Sequence, residues 1–339
     1  MTGKTDRKRF SGKILTLPRL CGIIMAYWGC MSVGSPFPAG SPAHPVIKEN
    51  TVMSQYVFLS DSGCDLPVSR LQELDIRLIP MTVTMEGDVN VRADELNTQE
   101  MYAYLRSKKM AKTSAVSVGE YIDVFESYAA TGMDVYYLAF SSGLSTSYHN
   151  ALVAAKDVTD KFPERKIVVQ DSLSASNGLG LFCEMVAAWR KEGVPLEELE
   201  KKVEDIRLRI CHQFTVDDLF FLKRGGRISG ATALIGTVLQ FKPIMHADNE
   251  GHLVAIGKVR GRKAAIAALF DRVVATLDKE RASRFIIGHG DCLQDAQTLA
   301  DMVREKLGYT DVSVYDIGPT IGAHSGPGTL AIFYIGTER

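Results

Sequence analysis

Val135-Tyr-Tyr-Leu-Ala-Phe140, Ser141-Ser-Gly-Leu-Ser-Thr-Ser-Tyr148 and His149-Asn-Ala-Leu-Val-Ala-Ala-Lys156 stand end to end, and they read as a buried strand, a hydroxyl-rich turn and the start of a helix. The first N–H groups of a helix have no partner inside it, and the backbone dipoles leave partial positive charge there, so such a turn can hold an anionic ligand group. Ser145 is the first candidate for a direct ligand contact, with Gly143 and Thr146 in the same loop. Its plainer role is to cap the helix, the commonest job of serine there.

The same unit recurs on both sides. Upstream, Tyr56-Val-Phe-Leu59 runs into Ser60-Asp-Ser-Gly-Cys-Asp65 and then a helical pattern to Leu74. Downstream, Lys166-Ile-Val-Val-Gln170 runs into Asp171-Ser-Leu-Ser-Ala-Ser-Asn-Gly178 and an apolar helix over Leu179 to Lys191. Repeated alternation of this kind predicts a parallel sheet with helices on both faces. Ligands of such sheets collect beyond the carboxyl ends of the strands, which puts Asp61 and Ser62 where a site would be; turn formation and capping would occupy them equally well. Ile76 to Thr84 is a further strand candidate, with Glu86-Gly-Asp88 as its turn, and Glu95 to Ser107 is helical. Ser117 and Glu120 form the Ser-x-x-Glu capping box of a helix over Val118 to Ala130. Thr113 and Ser114, ahead of that cap and without a local job, are free to meet a ligand.

Leu196 to Cys211 reads as an amphipathic, heavily charged helix with a solvated face. After it, Phe214-Thr-Val is a strand, and Lys223-Arg-Gly-Gly-Arg-Ile-Ser-Gly230 gathers three cations around two glycines. Ala231 to Phe241 is an apolar helix, to be buried or turned toward an apolar ligand. Asp248-Asn-Glu-Gly251 joins two strands tightly enough that they must be antiparallel. Helices over Arg262 to Leu277 and Leu293 to Leu307 follow, with strands over Arg284 to Gly288, Val312 to Ile317 and Leu330 to Ile335. The fold expected is α/β in two domains. Residues 53–211 form an N-terminal parallel sheet flanked by helices; residues 212–339 form an α+β domain with a mixed or antiparallel sheet, on which part of 76–112 packs.

A chain of 339 residues that is 46% hydrophobic and 23% charged can bury one large core or two ordinary ones. With 39 basic against 40 acidic residues, no global field favours nucleic acid or an anionic membrane, so any anion recognition is local. The six cysteines show no Cys-x-x-Cys and no zinc-like Cys/His spacing, which points to a reducing, cytoplasmic compartment and no structural metal. Residues 1–52 differ from the rest: basic residues precede Cys21-Gly-Ile-Ile-Met-Ala-Tyr-Trp28 and a Pro/Gly/Ser-rich run. That order suits a secretory signal, but the apolar run is short and Pro18 and Arg19 interrupt the approach. A non-conforming, disordered extension with Met53 as the true start is the preferred reading.

Five stretches together resemble the DegV family, the fatty-acid-binding subunits that serve bacterial fatty acid kinase. They are Ser60-Asp-Ser-Gly-Cys-Asp-Leu66, Thr113-Ser-Ala-Val-Ser117, Ser141 to Tyr148, Leu222-Lys-Arg-Gly-Gly-Arg227 and Ile317-Gly-Pro-Thr-Ile-Gly-Ala-His-Ser-Gly-Pro-Gly328. The resemblance implies a two-domain protein with a long-chain fatty acid in a tunnel. It implies that Thr113 or Ser114, Ser145 and His324 hold the carboxylate, with Asp61, Ser62, Gly143, Thr146 and Gly322 in the supporting loops. Arg224 and Arg227 would dock the kinase and steady the acyl phosphate, a task suited to the planar fork of arginine. The protein would have no catalytic residues and no cofactor beyond its lipid. Its partners would be the kinase and the acyltransferases of phospholipid synthesis, with no nucleic acid and no stable membrane insertion. Hydroxyls and an imidazole N–H fit a carboxylate, which needs several donors to offset its desolvation.

Two rivals come from other classes. Ser145, His324 and Asp61 are the residue types of a hydrolytic triad, though Ser145 lacks the Gly-x-Ser-x-Gly elbow. A free-standing small-molecule kinase is disfavoured because the chain has no Gly-x-x-x-x-Gly-Lys-Ser/Thr loop.

Overall fold

The computed structural model describes residues 56–228 and 240–339. The readings of residues 1–52 and of an apolar helix from Ala231 lie outside the described residues.

Strand β1 (Tyr56–Asp61) is buried along its whole length, as a strand between two parallel neighbours must be. Beyond α1 (Val68–Glu73) comes β2 (Arg77–Ile79), parallel to β1. Here the single strand expected over Ile76 to Thr84 divides. Pro80 has no N–H to continue a ladder, and β3 (Thr82–Met85) leaves for a different sheet. It pairs antiparallel with β4 (Val89–Arg92) and, after α2 (Thr98–Arg106), with β5 (Ala111–Ser114). Thr113 and Ser114 therefore do have a local job, in the β5 ladder. The predicted capping box opens α3 (Val118–Ala129): the Ser117 N–H donates to the Glu120 carboxylate at 2.8 Å, and the Glu120 N–H to the Ser117 hydroxyl at 3.3 Å. Next come β6 (Asp134–Ala139), α4 (Ser147–Lys161), β7 (Ile167–Asp171) and α5 (Ser176–Lys191). The first sheet has the order β2-β1-β6-β7 and is parallel throughout.

The charged helix expected to reach Cys211 stops sooner. α6 (Leu196–Ile206) gives way to one 3-10 turn and then to β8 (Ile210–Thr215), all six residues of which are buried. The amphipathic pattern ends at Arg209, and a wholly buried segment inside a sheet is better served by a ladder than by a solvated helix. After α7 (Leu219–Arg224) come β9 (Phe241–Ala247) and β10 (Leu253–Arg260), joined by the expected hairpin with Gly251 at φ +77°. The chain closes with α8 (Arg262–Thr276), β11 (Phe285–His289), α9 (Leu293–Met302), β12 (Val312–Asp316), α10 (Pro319–Ser325) and β13 (Leu330–Ile335). The second sheet has the order β10-β9-β8-β13-β11-β12, antiparallel except between β11 and β12. The architecture is thus α/β, with a parallel four-stranded sheet, a mixed six-stranded sheet and flanking helices.

Gly322, expected in a supporting loop, is helical, within α10. Pro319 stands in the first turn of α10, where its fixed φ favours the helix, and Gly326 at φ +76° ends it. Met101, Tyr102 and Leu105 of α2 pack with Val83, Ala111 and Ala323. The Tyr102 hydroxyl donates to the Ile317 carbonyl at 2.9 Å. Gly322 permits this approach: a Cβ there would stand 2.8 Å from the Tyr102 oxygen.

Candidate functional site

A cavity lies beneath α10 and above one face of the six-stranded sheet. Its walls include Met81, Phe140, Phe214, Leu222, Ile321 and Phe333, and the space between them, counting the open mouth, is about 800 Å³. Small-molecule sites span roughly 300–1,000 Å³. Strand alternation builds the floor: His212 and Phe214 of β8 face inward beside Phe333 and Ala331 of β13, their register partners.

Polar groups gather where α10, β5, α7 and the β6–α4 turn meet. Thr113, Ser145, Arg227 and His324 all line the cavity. His324 Nε2 is 2.7 Å from the Thr113 hydroxyl. The ring is held against α7, since a Cβ on Gly225 would collide with its Nδ1. Burial first, then the nearby charges of Arg227 and Arg224, lower the His324 pKa to about 4. The imidazole is therefore neutral at pH 7, with one N–H donor and one acceptor nitrogen. Arg227 is half-buried, and its Nε donates to the Leu144 carbonyl at 3.2 Å, with a second bond to the Gly225 carbonyl. Burial lowers the guanidinium pKa, yet arginine stays charged in proteins. Among the described residues no carboxylate forms an ion pair with it.

Ser145 borders the cavity but is not the cap of α4, since Thr146 stands at that position. Its hydroxyl accepts the Ser147 N–H at 3.2 Å, a local turn bond, and donates to the Ser147 hydroxyl at 3.0 Å. The turn is seated on the β9–β10 hairpin: Ser141 donates to the Gly251 carbonyl at 2.9 Å, and a Cβ on Gly143 would stand 2.8 Å from the Glu250 carbonyl oxygen.

Other candidates are placed elsewhere. Ser114 is exposed, as expected for the residue after an inward-facing Thr113 on a strand. Thr146 is exposed and makes no side-chain cap bond. Arg224 is exposed with its guanidinium 4.9 Å from the centre of the Phe221 ring. Ser62 braces the cavity wall, accepting the Met81 N–H and sharing a hydrogen with Thr320, both at 3.0 Å. Asp61 is fully buried and takes the N–H groups of Gly63 and Phe140 and the Tyr137 hydroxyl, at 2.8, 3.0 and 2.8 Å. Among the described residues no hydrogen bond joins His324 to Ser145 or to Asp61, so the hydrolytic triad is not assembled. Arg227, expected to dock the kinase and steady the acyl phosphate, forms part of the cavity wall. His212, Phe214 and Phe333 escaped the sequence reading; the period-two pattern of β8 and β13 is the signal that could have found them.

Among the described residues no group of three or more His, Cys, Asp or Glu side chains could hold a metal ion. No described helix is long and apolar enough to cross a membrane.

Residues 57–337 match the family model described as "Uncharacterised protein, DegV family". A DegV domain-containing protein of Clostridium perfringens is 36% identical over 289 residues, which is 85% of this chain and 99% of that protein. A DegV family protein from Thermus thermophilus, solved for its fatty acid binding, superposes with a TM-score of 0.74 at 29% identity, covering 83% of this chain and 99% of its own. A stearic-acid-binding protein from Eubacterium ventriosum gives 0.76 at 25% identity, over 83% of this chain and 98% of its own.

Proposed function

This chain belongs to the DegV family, and on that premise we propose that it binds a long-chain fatty acid in the cavity beneath α10. The carboxylate would sit among Thr113, Ser145 and His324 with Arg227 as its counter-charge, and the hydrocarbon tail among Met81, Phe140, Phe214, Ile321 and Phe333. One observation carries this reading: a half-buried guanidinium with no acidic partner among the described residues opens onto a cavity whose other walls are mainly apolar. Ser114 is left out of the headgroup set because it points outward.

The wider role follows from the same family. The protein would present the carboxylate to a separate ATP-dependent fatty acid kinase, hold the acyl phosphate for the acyltransferases of phospholipid synthesis in the cytoplasm, and supply no catalytic residue. Exposed Phe220, Lys223 and Arg224 on α7, adjoining the cavity wall, suit a docking face.

Extraction of the purified protein into organic solvent and mass spectrometry of the extract should find a long-chain fatty acid in molar proportion. Ser145→Ala should lower lipid occupancy in native mass spectrometry, because removing one partner of a buried headgroup costs on the order of 1–3 kcal/mol. Wild-type occupancy in that variant would remove Ser145 from the site.

A further inference from the structure

Among the described residues, the hydroxyl side chains that border the cavity are, with one exception, engaged inside the protein. Thr113 lies 2.7 Å from His324 Nε2, Ser145 donates to Ser147 at 3.0 Å, and Ser176 donates to Asp65 Oδ2 at 2.6 Å. Thr320 shares a hydrogen with Ser62, and Thr329 donates to the Ser325 and Gly326 carbonyls at 2.9 and 2.8 Å. The exception is Ser325. It is 4% exposed, and its hydroxyl has no hydrogen-bond partner among the described residues, not even the carbonyl one turn back that a helical serine often takes.

The winding of α10 accounts for where this hydroxyl points, because residues three or four apart share a helix face. Gly322 and Ala323 are turned to Tyr102 of α2. Thr320 and His324 form a row that meets Ser62 and Thr113. Ile321 and Ser325 form the next row, and both line the cavity above Ala331 and Phe333 of β13. Ser325 therefore belongs to the wall given to the hydrocarbon tail, one residue past His324. Methylene groups cannot accept its hydrogen, and a buried hydroxyl without a partner is costly. An unsubstituted tail keeps that cost, whereas an oxygen on the tail removes it.

We propose that Ser325 selects acids that bear an oxygen on the chain close to the carboxylate, with 3-hydroxy acids as the class that fits. The inference rests on the fatty-acid reading of the cavity and makes Ser325 a specificity-determining residue with no part in holding the carboxylate. Consecutive Cα atoms are about 3.8 Å apart, and consecutive side chains leave a helix about 100° apart. A ligand held by His324 thus meets Ser325 within its first few carbons. The Ser325 hydroxyl donates to the ligand's oxygen, and a hydroxyl on the third carbon turns its own hydrogen onto the carboxylate two carbons away. Both hydrogens are then spent, and no covalent bond changes.

Delipidated full-length protein should bind 3-hydroxypalmitate more tightly than palmitate when the two acids compete in native mass spectrometry, a comparison that needs no variant. Ser325→Ala should lower that preference by about tenfold, the worth of one hydrogen bond, while holding palmitate at least as tightly as the wild type. The preference between 12-hydroxystearate and stearate should be the same in both proteins, since that oxygen lies far along the chain. A wild type that favours palmitate, an unchanged preference in Ser325→Ala, or an equal change for 12-hydroxystearate overturns the proposal and leaves the fatty-acid reading intact. Weaker palmitate binding by Ser325→Ala does the same, because it would make this hydroxyl a carboxylate ligand. Failure of the wild type to bind either acid overturns both.

Discussion

His324 is the residue whose chemistry the fold changes most. In an unfolded chain its imidazole would titrate near the ordinary 6.5, whereas in the folded protein it titrates at about 4. Between those values the unfolded chain holds a proton that the folded one lacks. Stability from this group is therefore full above pH 6.5 and lost as the pH falls toward 4. Lipid-free wild type should lose about 2.5 kcal/mol more between pH 7.5 and 4.5 than His324→Gln, as read from urea unfolding at the two pH values. Equal losses would mean that the ring is solvated. At this scale part of the site was legible in the sequence: Thr113, Ser145 and His324 do line one cavity, although 211 residues separate the first from the last. Of the two roles open to Asp61, the structure shows the turn and capping one, and the sequence could not choose between them for a physical reason. A polar residue at the end of a strand can turn outward to a ligand or inward to neighbouring N–H groups, and composition alone does not distinguish the two.

Among elements, α7 and α10 illustrate how close approach is encoded. Gly225, at the end of α7, has an ordinary helical φ of −69°, so alanine is acceptable to its backbone; what forbids a Cβ is the His324 ring behind it. Gly225→Ala should leave circular dichroism unchanged and lower lipid occupancy by displacing that ring. Gly322 makes the matching contact on the other side of α10, and Gly322→Ala should destabilise the fold by about 1–3 kcal/mol in urea titrations through overpacking against Tyr102. Neither role shows in the sequence, where glycines after Ile317 look like loop. The strand, turn and helix of β6 and α4 were readable because local pattern and tertiary setting agree. The β2–β3 break was not, because alternation runs through Pro80 and only the partner strands reveal that two sheets share the segment.

Across the molecule, Glu184 on α5 joins parts that are distant in the chain. It is buried, takes Arg70 Nε from α1 at 2.7 Å and is gripped by both Nε and Nη2 of Arg284, just ahead of β11. Removing Glu184 leaves Arg70 with only the exposed Glu73 and Arg284 with only the exposed Asp311, so Glu184→Ala should cost about 2 kcal/mol in chemical denaturation. A loss under 1 kcal/mol would show that solvent reaches the arginines. The parallel sheet and the antiparallel hairpin were each legible, yet the sheet of β3, β4 and β5 was not, since its strands are short and gain their burial from α2 and α10. The cavity floor bears on which ligands fit. Ala331, opposite Phe214 and two residues before Phe333, is the smallest side chain on that surface. On the fatty-acid reading, bulk added at this position shortens the room left for a tail: Ala331→Leu should move the mass distribution of extracted acids toward fewer methylenes, so a single methyl group in β13 would set the length of acid admitted.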